Sequence, residues 1–445
     1  MRQKPEGIPL LVGLLVLSLL FLAIALWNGF PLVFYDTGGY LAEGLEGAFL
    51  PERSPVYSLL LSVTGGAVSL WAVVVLQAVT TAYLVTLTAR AEVAQLSLGR
   101  LIIAGVILML ATGIGWYVGQ VEPDCMTALV ILGAYLLLFR SDFLGPKQSM
   151  LVVAITGLAV ACHPSHLGLM AGLLIAALIL KWLWRNSGLR LLLALSAFLL
   201  ALALILTSNY FLTRQVFLSR SASVFVFARL VQDGIVKRLL DDTCPGSGYT
   251  LCGSQNRLPA RADAWLWGPN SLFRSRGGFG GSHDEETRMI MDSIRRYPLL
   301  QVMDATRDSV RQFFTFKTGD GIESQEWVLK PVFEEVAPAE LPAYLAAKQQ
   351  HNRLRFTTLN MIHVTVGILS LLGLVALLFY SVRQRQWQAL RLPALVLLAL
   401  IGNAIVCATF SNPHDRYQSR VIWLPSLVLL LTRLKNPNSF QPDLG

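Results

Sequence analysis

The stretch IPLLVGLLVLSLLFLAIALWNG, residues 8–29, decides the fold class of this chain. It contains no charged residue and is long enough to cross the roughly 30 Å hydrocarbon layer of a bilayer as one α-helix. It is also too long and too uniformly apolar for the h-region of a cleaved signal peptide, and no convincing cleavage site follows it. We therefore predict a signal-anchor helix that stays in the protein.

The composition of the whole chain extends this conclusion. Of its 445 residues, 54% are hydrophobic and only 14% are charged, whereas soluble domains carry about 25% charged residues. The net charge of +9 sits in short loops between apolar runs, as expected for the cytoplasmic side of a membrane protein. No basic stripe with interleaved aromatic residues is present, which argues against a nucleic-acid partner.

Ten apolar runs are candidates for membrane spans, and we predict an all-α polytopic membrane protein with about ten transmembrane helices. The runs are 8–29, 68–89, 101–119, 125–139, 149–162, 167–184, 190–208, 357–380, 391–409 and 421–433. The segment 55–66, PVYSLLLSVTGG, is too short to cross. We predict that it forms a re-entrant or interfacial helix after the first outer loop.

Lysine and arginine residues predict the orientation. With ten spans, all the following fall on one side: Arg2, Lys4, Arg90, Arg100, Arg140, Lys147, Lys181, Arg185, Arg190, Arg383, Arg385, Arg391, Arg433 and Lys435. The positive-inside rule makes that side the cytoplasm. We therefore predict a multi-pass protein of the cytoplasmic (inner) membrane with both termini in the cytoplasm.

The chain then divides into three parts. Residues 1–208 form an N-terminal transmembrane core, 209–356 a periplasmic or extracellular loop domain, and 357–445 the C-terminal transmembrane helices. The loop domain is predicted to be mainly helical, with helices near 221–241 and 284–297. The amphipathic stretch 298–316 is predicted to lie along the membrane surface.

Two of the five cysteines are predicted to pair. Cys244 and Cys252 flank a Pro-Gly-Ser-Gly turn in DDTCPGSGYTLCGS, residues 241–254, which favours a disulfide in an oxidising compartment. A metal site is less favoured, because no nearby histidine or cysteine completes a ligand set. The other three, Cys125, Cys162 and Cys407, lie in or beside apolar spans and are predicted to be buried thiols.

The first outer loop contains a cluster of polar residues at the membrane face, FYDTGGYLAEGLEGAFLPERSPVYSLL, residues 34–60. Asp36 follows the first span directly; it suits either a helix N-cap or a chemical role. Arg53 precedes the re-entrant segment, as an interfacial anchor or as a phosphate ligand. Three further acids are predicted to be solvated loop charges: Glu43, Glu46 and Glu52.

Two short outer turns supply more polar residues. In GQVEPDCM, residues 119–126, Glu122 and Asp124 suit either a helix start or a site that faces a cation or ligand. In ACHPSHLG, residues 161–168, His163 and His166 suit either interfacial histidines or hydrogen bonds to a phosphate or sugar. Two histidines alone are too few ligands for a metal.

The last outer segment, FSNPHDRYQSRVIWLP at residues 410–425, carries two arginines against the positive-inside bias. Arg416 and Arg420 are four residues apart and share one helical face. Their guanidinium groups suit a phosphate or pyrophosphate. The alternative is that they form salt bridges to Asp36 or to the Glu122/Asp124 pair.

In this order, the motifs resemble those of the multi-pass GT-C glycosyltransferases that use a polyprenyl-phosphate-linked sugar. These include the protein mannosyltransferases and the bacterial enzymes that decorate lipid A and lipopolysaccharide. The resemblance rests on Asp36, on Arg-Ser-Pro-Val-Tyr at 53–57, on Glu-Pro-Asp at 122–124 and on Arg-Tyr at 416–417. It covers the chain best up to about residue 170.

The resemblance implies an inverting single displacement in which Asp36 is the general base. It implies that Arg53, Arg416 and His163 hold the lipid phosphate, and the spacing of the arginines adds Arg420 as a phosphate-binding candidate. Substrate-binding candidates are Glu122, Asp124, His163, His166, Tyr40 and Tyr417. The donor would be the lipid-linked sugar and the acceptor a glycan, lipid or protein of the envelope. Some relatives use a divalent metal, so a metal stays open here.

The chain departs from this family at three points. Many relatives have Asp-Glu where this chain has Asp36-Thr37, and they often have His-Pro-Pro where it has Arg53-Ser54-Pro55. The 209–356 loop maps onto no familiar accessory domain. These departures leave the sugar and the acceptor open.

Two other functions fit a membrane protein of this kind. A transporter or flippase of a lipid-linked sugar would share the outer polar clusters, but such proteins often have internal repeats and mid-membrane charges, which are not evident here. A non-enzymatic scaffold for envelope assembly would not need carboxylates and arginines concentrated on one face.

Overall fold

A computed structural model describes residues 7–66, 68–183 and 189–435. Within these ranges the regular structure is helical, apart from an isolated bridge between Leu32 and Gln120. This agrees with the predicted all-α class. Arg2, Lys4 and Arg185, used in the orientation argument, lie outside the described residues.

The described residues of the N-terminal part form ten α-helices. They are α1 (Gly7–Asn28), α2 (Thr37–Glu46), α3 (Pro55–Val63), α4 (Trp71–Glu92), α5 (Leu98–Ala111), α6 (Ile114–Val118), α7 (Met126–Phe139), α8 (Pro146–Ala161), α9 (Pro164–Leu183) and α10 (Leu191–Thr213). The short helix α3 begins at Pro55 as predicted, and it packs on α2. Whether it dips into a bilayer stays a prediction.

The remaining described chain holds twelve more α-helices. They are α11 (Ala222–Gln232), α12 (Ile235–Thr243), α13 (Ala262–Trp267), α14 (Leu272–Ser275), α15 (Asp284–Arg296), α16 (Pro298–Phe313), α17 (Glu326–Val336), α18 (Leu341–Ala346), α19 (Phe356–Arg383), α20 (Trp387–Phe410), α21 (Asp415–Ser419) and α22 (Leu424–Leu434).

Within the described ranges, six helices are long and apolar enough to cross a membrane: α1, α4, α9, α10, α19 and α20. At 1.5 Å per residue, about 20 residues are needed to span the hydrocarbon layer. Four further predicted runs are helical but shorter: α5 and α7 have 14 residues each, α8 has 16 and α22 has 11. The count of ten spans therefore stays a prediction.

The predicted run 101–119 is not one helix. Thr112 adopts an extended conformation after α5, and the chain turns at Gly113 before the short helix α6. The Thr112 hydroxyl donates to the Leu108 carbonyl at 2.5 Å, and so it satisfies a carbonyl at the helix end. Prediction from apolar length alone missed this break, because threonine and glycine do not interrupt the apolar run.

Helix α7 lies at the centre of the bundle and is buried from Met126 to Leu138. It packs against α4, α8, α9, α10 and α20. A helix that is apolar on every side, as α7 is, is suited to burial on all faces. Its N-terminal end therefore holds Asp124 inside the protein, and not on a surface turn.

Residues 224–290 of the 209–356 segment form an apolar core of their own, with Phe227 and Trp265 among its members, whereas Leu329 and Phe333 belong to the main core. The predicted helix 221–241 is two helices, because Gly234 takes a left-handed conformation (φ 75°) between α11 and α12. The predicted helix 284–297 corresponds to α15. A disulfide joins Cys244 and Cys252 after α12.

Helix α16 is amphipathic, as predicted. Asp304, Asp308 and Gln312 are buried on one side. Exposed apolar residues at helical spacing cover the other side: Leu299, Val302, Met303, Val310 and Phe314. An exposed apolar stripe of this kind suits the membrane interface. The helix packs along α20.

Candidate functional site

Asp36 lies between two arginines from distant parts of the chain. Its Oδ1 is 3.0 Å from Arg53 Nη2, and its Oδ2 is 3.5 Å from Arg416 Nη2. Arg53 Nη1 also donates to the Asp36 main-chain carbonyl at 2.7 Å. Asp36 occupies the N-cap position of α2, but its carboxylate makes no capping hydrogen bond. A helix therefore begins at Thr37 with Asp36 as its N-cap residue, as one alternative predicted, but the carboxylate does not cap it.

The two arginines set the charge of Asp36. Burial alone would raise the pKa of this carboxyl, but the charges and hydrogen bonds of Arg53 and Arg416 outweigh burial and lower the pKa below its ordinary value. Asp36 is thus ionised at neutral pH. Its side chain is 27% exposed, so a small group from solution can reach it.

Aromatic rings hold both guanidinium groups in place. The Arg53 guanidinium lies 5.0 Å from the centre of the buried Tyr40 ring. The Arg416 guanidinium lies 4.1 Å from the Phe34 ring and 5.2 Å from the Tyr417 ring. Tyr40 and Tyr417, predicted as substrate-binding residues, therefore contact the arginines; cation–π attraction fixes the two cations beside Asp36.

Glu122 is the second carboxyl of this group, and it is 2% exposed. The Thr37 hydroxyl donates to it at 3.3 Å. Burial raises the pKa of Glu122 well above its ordinary value, and the nearby charge of Asp36 adds to the increase. The surroundings therefore shift the pKa values of the two acids in opposite directions, downward for Asp36 and upward for Glu122.

Backbone pairing holds these two acids together. The Leu32 amide donates to the Gly119 carbonyl at 2.9 Å, and the Val121 amide donates to the Leu32 carbonyl at 2.8 Å. The first and second outer turns are thereby fixed side by side. This places Thr37, at the start of α2, against Glu122.

Asp124 and Arg420 form a separate buried ion pair. The Arg420 guanidinium lies 2.6 Å from Asp124 Oδ1, and its side chain is fully buried. It also contacts Ser165, Asn403 and Cys407. Each of the two residues thus has an ion-pair partner inside the protein, and the predicted roles of Arg420 in phosphate binding and of Asp124 in substrate binding stay predictions.

The two histidines differ. His166 is fully buried, with Nδ1 2.8 Å from the Ala159 carbonyl and Nε2 2.6 Å from the Thr127 hydroxyl. Both ring nitrogens of His166 are thus occupied inside the protein, and its role in substrate binding stays a prediction. His163 Nδ1 accepts from the Ser165 amide at 3.1 Å. Burial lowers the pKa of His163, and the charges of Arg420, Arg416 and Arg53 lower it further.

The structure thus brings together Asp36, Arg53, Glu122 and Arg416, which we call the Asp36 cluster. They come from three outer segments that are far apart in sequence. Both salt-bridge alternatives raised for the last outer segment occur, one through Arg416 and one through Arg420. Arg416 and Arg420 thus pair with different acids, although both guanidinium groups lie beside the Tyr417 ring.

Residues 209–356, which we call the outer domain after their predicted side of the membrane, also contribute to this region, which the sequence did not predict. The Arg416 amide donates to Asp320 Oδ2 at 3.2 Å. The Gln312 side chain donates to the His414 carbonyl and accepts from its amide, each at 2.8 Å. Gly319 and Gly321 take positive φ, 106° and 71°, around Asp320. The sequence TGDG at 318–321 was a turn signal that could have been noticed.

Three further residues were misjudged or missed in the sequence. Glu43, predicted as a solvated charge, is buried and accepts from Ser58 at 2.7 Å. Asn403, inside α20, donates to the Tyr417 carbonyl at 2.7 Å. Gln77, inside α4, donates to main-chain carbonyls at positions 118 and 120. A polar amide inside an apolar run is the signal that finds the last two.

His414 links the outer domain to the arginine loop, by which we mean residues 411–420 with Arg416 and Arg420. This contact leads to a pH prediction. Its Nε2 lies 3.4 Å from Asp263 and its Nδ1 3.6 Å from Asp320. Burial alone would lower the pKa of His414, but its hydrogen bonds to these two acids raise the pKa to about 10. A pKa raised from 6.5 stabilises the fold fully below pH 6.5, and this contribution is lost as pH rises through 10.

We therefore expect His414→Gln to lower the melting temperature of the full-length protein in detergent most strongly at pH 6. The difference from wild type should shrink steadily up to pH 10. Exposed His351→Gln is the matched control and should show no such trend. A difference that stays constant from pH 6 to pH 10 would show that the charge of His414 does not stabilise this link.

Metal binding has no arrangement to support it in the described ranges, since no group of three or more His, Cys, Asp or Glu side chains there could hold a metal ion. The Asp36 cluster instead pairs acids with arginines. No protein-family model, curated protein or solved structure matches the chain.

Proposed function

We propose that this protein is a membrane glycosyltransferase that moves a sugar from a polyprenyl-phosphate donor to an acceptor of the cell envelope. The observation that carries the proposal is the position of one partly exposed carboxylate, Asp36, between Arg53 and Arg416. A base for an acceptor hydroxyl and two cations for a phosphate leaving group are the groups such a reaction needs.

The two arginines have unused hydrogen-bonding capacity. Arg53 Nε and Arg416 Nη1 are buried and have no hydrogen-bond partner among the described residues. Buried donors are seldom left without an acceptor, so these two nitrogens indicate a place where a ligand oxygen can bind. Phosphate oxygens would satisfy both donors, since guanidinium groups bind phosphate with charge-assisted hydrogen bonds.

Donor binding would also activate Asp36. In the free protein the arginines lower the pKa of Asp36, which makes it a weak base. When phosphate oxygens take up the arginine charge, the carboxylate loses part of that stabilisation and its pKa rises. Asp36 thus becomes a stronger base only after the donor has bound. This order of events limits transfer of the sugar to water.

The proposed step is a single displacement with inversion. The acceptor oxygen forms a bond to the anomeric carbon while the bond from that carbon to the phosphate oxygen breaks. Asp36 takes the acceptor proton, and the electron pair of the broken bond leaves with the polyprenyl phosphate. Arg53 and Arg416 stabilise the charge that develops on this phosphate.

An apolar groove of about 500 Å³ between α16 and α20 supports a lipid-linked donor. Its lining includes Thr306, Phe313, Ile401 and Ile405. Both walls reach the arginine loop: α16 through Gln312, which holds the His414 main chain, and α20 through Asn403, which holds the Tyr417 carbonyl. A lipid chain in this groove would bring its phosphate toward Arg416.

Filling the groove should weaken binding of a long-chain donor. We expect Thr306→Trp, at an exposed groove position, to raise the KM of an undecaprenyl-phosphate-linked sugar about 10-fold, because each buried CH₂ group contributes about 0.8 kcal/mol. The KM of a short, water-soluble analogue should not change. Met303→Trp, exposed on the same helix but outside the groove, is the control. Equal effects on long and short donors would remove the groove from donor binding.

The proposal includes the topology predicted from the sequence: ten spans in the cytoplasmic membrane, both termini inside, and residues 209–356 outside. The six long apolar helices support a membrane location. The disulfide between Cys244 and Cys252 is compatible with an oxidising outer compartment. The Asp36 cluster would then lie at the outer surface, where envelope acceptors are found.

The test is transfer in proteoliposomes that contain purified protein, labelled polyprenyl-phosphate sugars and envelope acceptors. Appearance of label in the acceptor, with release of polyprenyl phosphate, supports the proposal. Movement of labelled lipid between leaflets without transfer would favour a flippase. If no donor of a panel shows either transfer or movement between leaflets, the scaffold alternative remains.

A further inference from the structure

A row of aromatic rings leads from the Asp36 cluster to the surface. The Phe34 ring lies 4.1 Å from the Arg416 guanidinium, the Tyr35 ring follows at 5.4 Å from Phe34, and Trp327 at 6.4 Å from Tyr35. Exposure increases along the row, to 37% at Tyr35 and 77% at Trp327. The row therefore ends in an indole ring that is open to solvent.

Acids outnumber basic residues on the segment that carries this indole. The Tyr35 hydroxyl donates to Glu323 Oε1 at 2.6 Å. Glu326 directly precedes Trp327, and the exposed Glu334 and Glu335 follow about two helical turns later, with Lys330 between them and Trp327. The apolar side chains Leu329 and Phe333 of α17 are buried in the protein core. A surface with this excess of acids is repelled by anionic lipid headgroups, whereas a tryptophan that anchors a protein in a bilayer lies among mostly apolar or basic neighbours.

We propose that Tyr35 and Trp327 bind a sugar ring of the acceptor, an inference that rests on the proposed transferase function. A pyranose has one face of C–H groups, which carry partial positive charge and pack on the negative face of an aromatic ring. Its rim of hydroxyls can donate to Glu323 and Glu326. The combination of an exposed indole and flanking carboxylates matches both parts of such a ligand.

The position of this surface gives it a role in acceptor choice. Tyr35 directly precedes Asp36 in the chain, and the row of rings joins Trp327 to Arg416 of the cluster, so a saccharide acceptor that binds Tyr35 and Trp327 would extend from this surface toward the carboxylate that takes the acceptor proton. An acceptor without a flat C–H face, such as an acyclic polyol, would lose the packing on the indole. The surface would therefore select for saccharide acceptors over other hydroxyl compounds.

Saturation-transfer NMR on the full-length protein in detergent tests this proposal without any donor. The probe is methyl β-D-glucopyranoside, and sorbitol serves as an acyclic polyol with similar hydroxyl groups. We expect the strongest saturation on the C–H face of the sugar in wild type and about a five-fold loss in Trp327→Ala. Trp327→Phe should keep most of the signal. Trp267→Ala, a tryptophan 50% exposed elsewhere in the outer domain, should leave it unchanged.

Several results would overturn the proposal. They are an unchanged signal in Trp327→Ala, saturation of sorbitol equal to that of the sugar, or displacement of the sugar by choline, which would indicate a cation site. The NMR result is separate from the transfer assay. Sugar binding lost in Trp327→Ala without any transfer in wild type removes the transferase but keeps the sugar site. Transfer with an unchanged acceptor KM in Trp327→Ala removes the sugar site but keeps the transferase.

Discussion

Asp36→Asn should lower the rate of sugar transfer by a factor of about 10²–10⁴, because general bases contribute rate enhancements of this size. The asparagine amide cannot take the acceptor proton at neutral pH. The substitution is nearly isosteric, so the Arg53 hydrogen bond to the Asp36 main-chain carbonyl remains possible. The measurement is single-turnover transfer at saturating donor and acceptor, with melting temperature recorded for each variant.

A measurement of donor binding to Asp36→Asn distinguishes loss of the base from loss of folding. Removing the negative charge at position 36 leaves Arg53 and Arg416 without their carboxylate partner, so the donor phosphate should bind at least as tightly as in wild type. Glu46→Gln, an exposed acid on the same helix α2, is the matched control and should keep full activity. Transfer by Asp36→Asn at more than about a tenth of the wild-type rate would remove Asp36 as the base.

Arg420→Met should destabilise the protein by about 3–5 kcal/mol, because it leaves the Asp124 carboxylate buried without its partner. Ser165 and Asn403 also lose their contacts with the guanidinium group, which is fully buried in wild type. The free energy of unfolding can be measured by titration with sodium dodecyl sulfate in mixed micelles, followed by circular dichroism. Loss of activity is expected only through loss of folded protein.

A double variant and a solvent-exposed ion pair serve as controls for this stability measurement. Arg420→Met with Asp124→Leu should recover much of the lost stability, since replacing a whole buried ion pair by apolar groups is often neutral. Lys237→Met breaks the Lys237–Asp241 pair, whose side chains are 47% exposed, and should cost at most about 0.5 kcal/mol. A cost below about 1 kcal/mol for Arg420→Met would show that solvent reaches Asp124.

Apolar length predicted the helices well, since burial in lipid requires long apolar helices and few other structures satisfy the backbone there. It did not predict where helices end. Thr112 and Gly113 break one predicted run, and Gly234 divides another helix. Both breaks depend on local backbone geometry, which composition over a window does not record.

The candidate site was predicted in its residue types and only partly in its pairs. The sequence supplied Asp36, Arg53, Glu122 and Arg416 as candidates because charges at a membrane face are costly. In the sequence, Arg416 and Arg420 are equally good candidates for phosphate binding. In the structure, packing buries Arg420 fully and places Arg416 beside Asp36. Which of two nearby arginines meets which acid depends on how the helices pack, and one sequence does not show that.

The outer domain was the largest omission. Asp263, Gln312 and Asp320 belong to a segment predicted only as a separate domain, yet they hold the loop that carries Arg416. Their contacts join positions about a hundred residues or more apart in the chain, and no local pattern marks such partners.

The pairing of Asp36 with Arg416 has a consequence for biosynthesis. Asp36 is synthesised before α2 to α20, and its partner Arg416 only after them. A nascent chain, or a fragment that ends before α21, holds the carboxylate and Arg53 but lacks the second cation and the helices that position it. Under the proposed mechanism, such an incomplete copy would have one arginine for the donor phosphate and would be inactive in transfer.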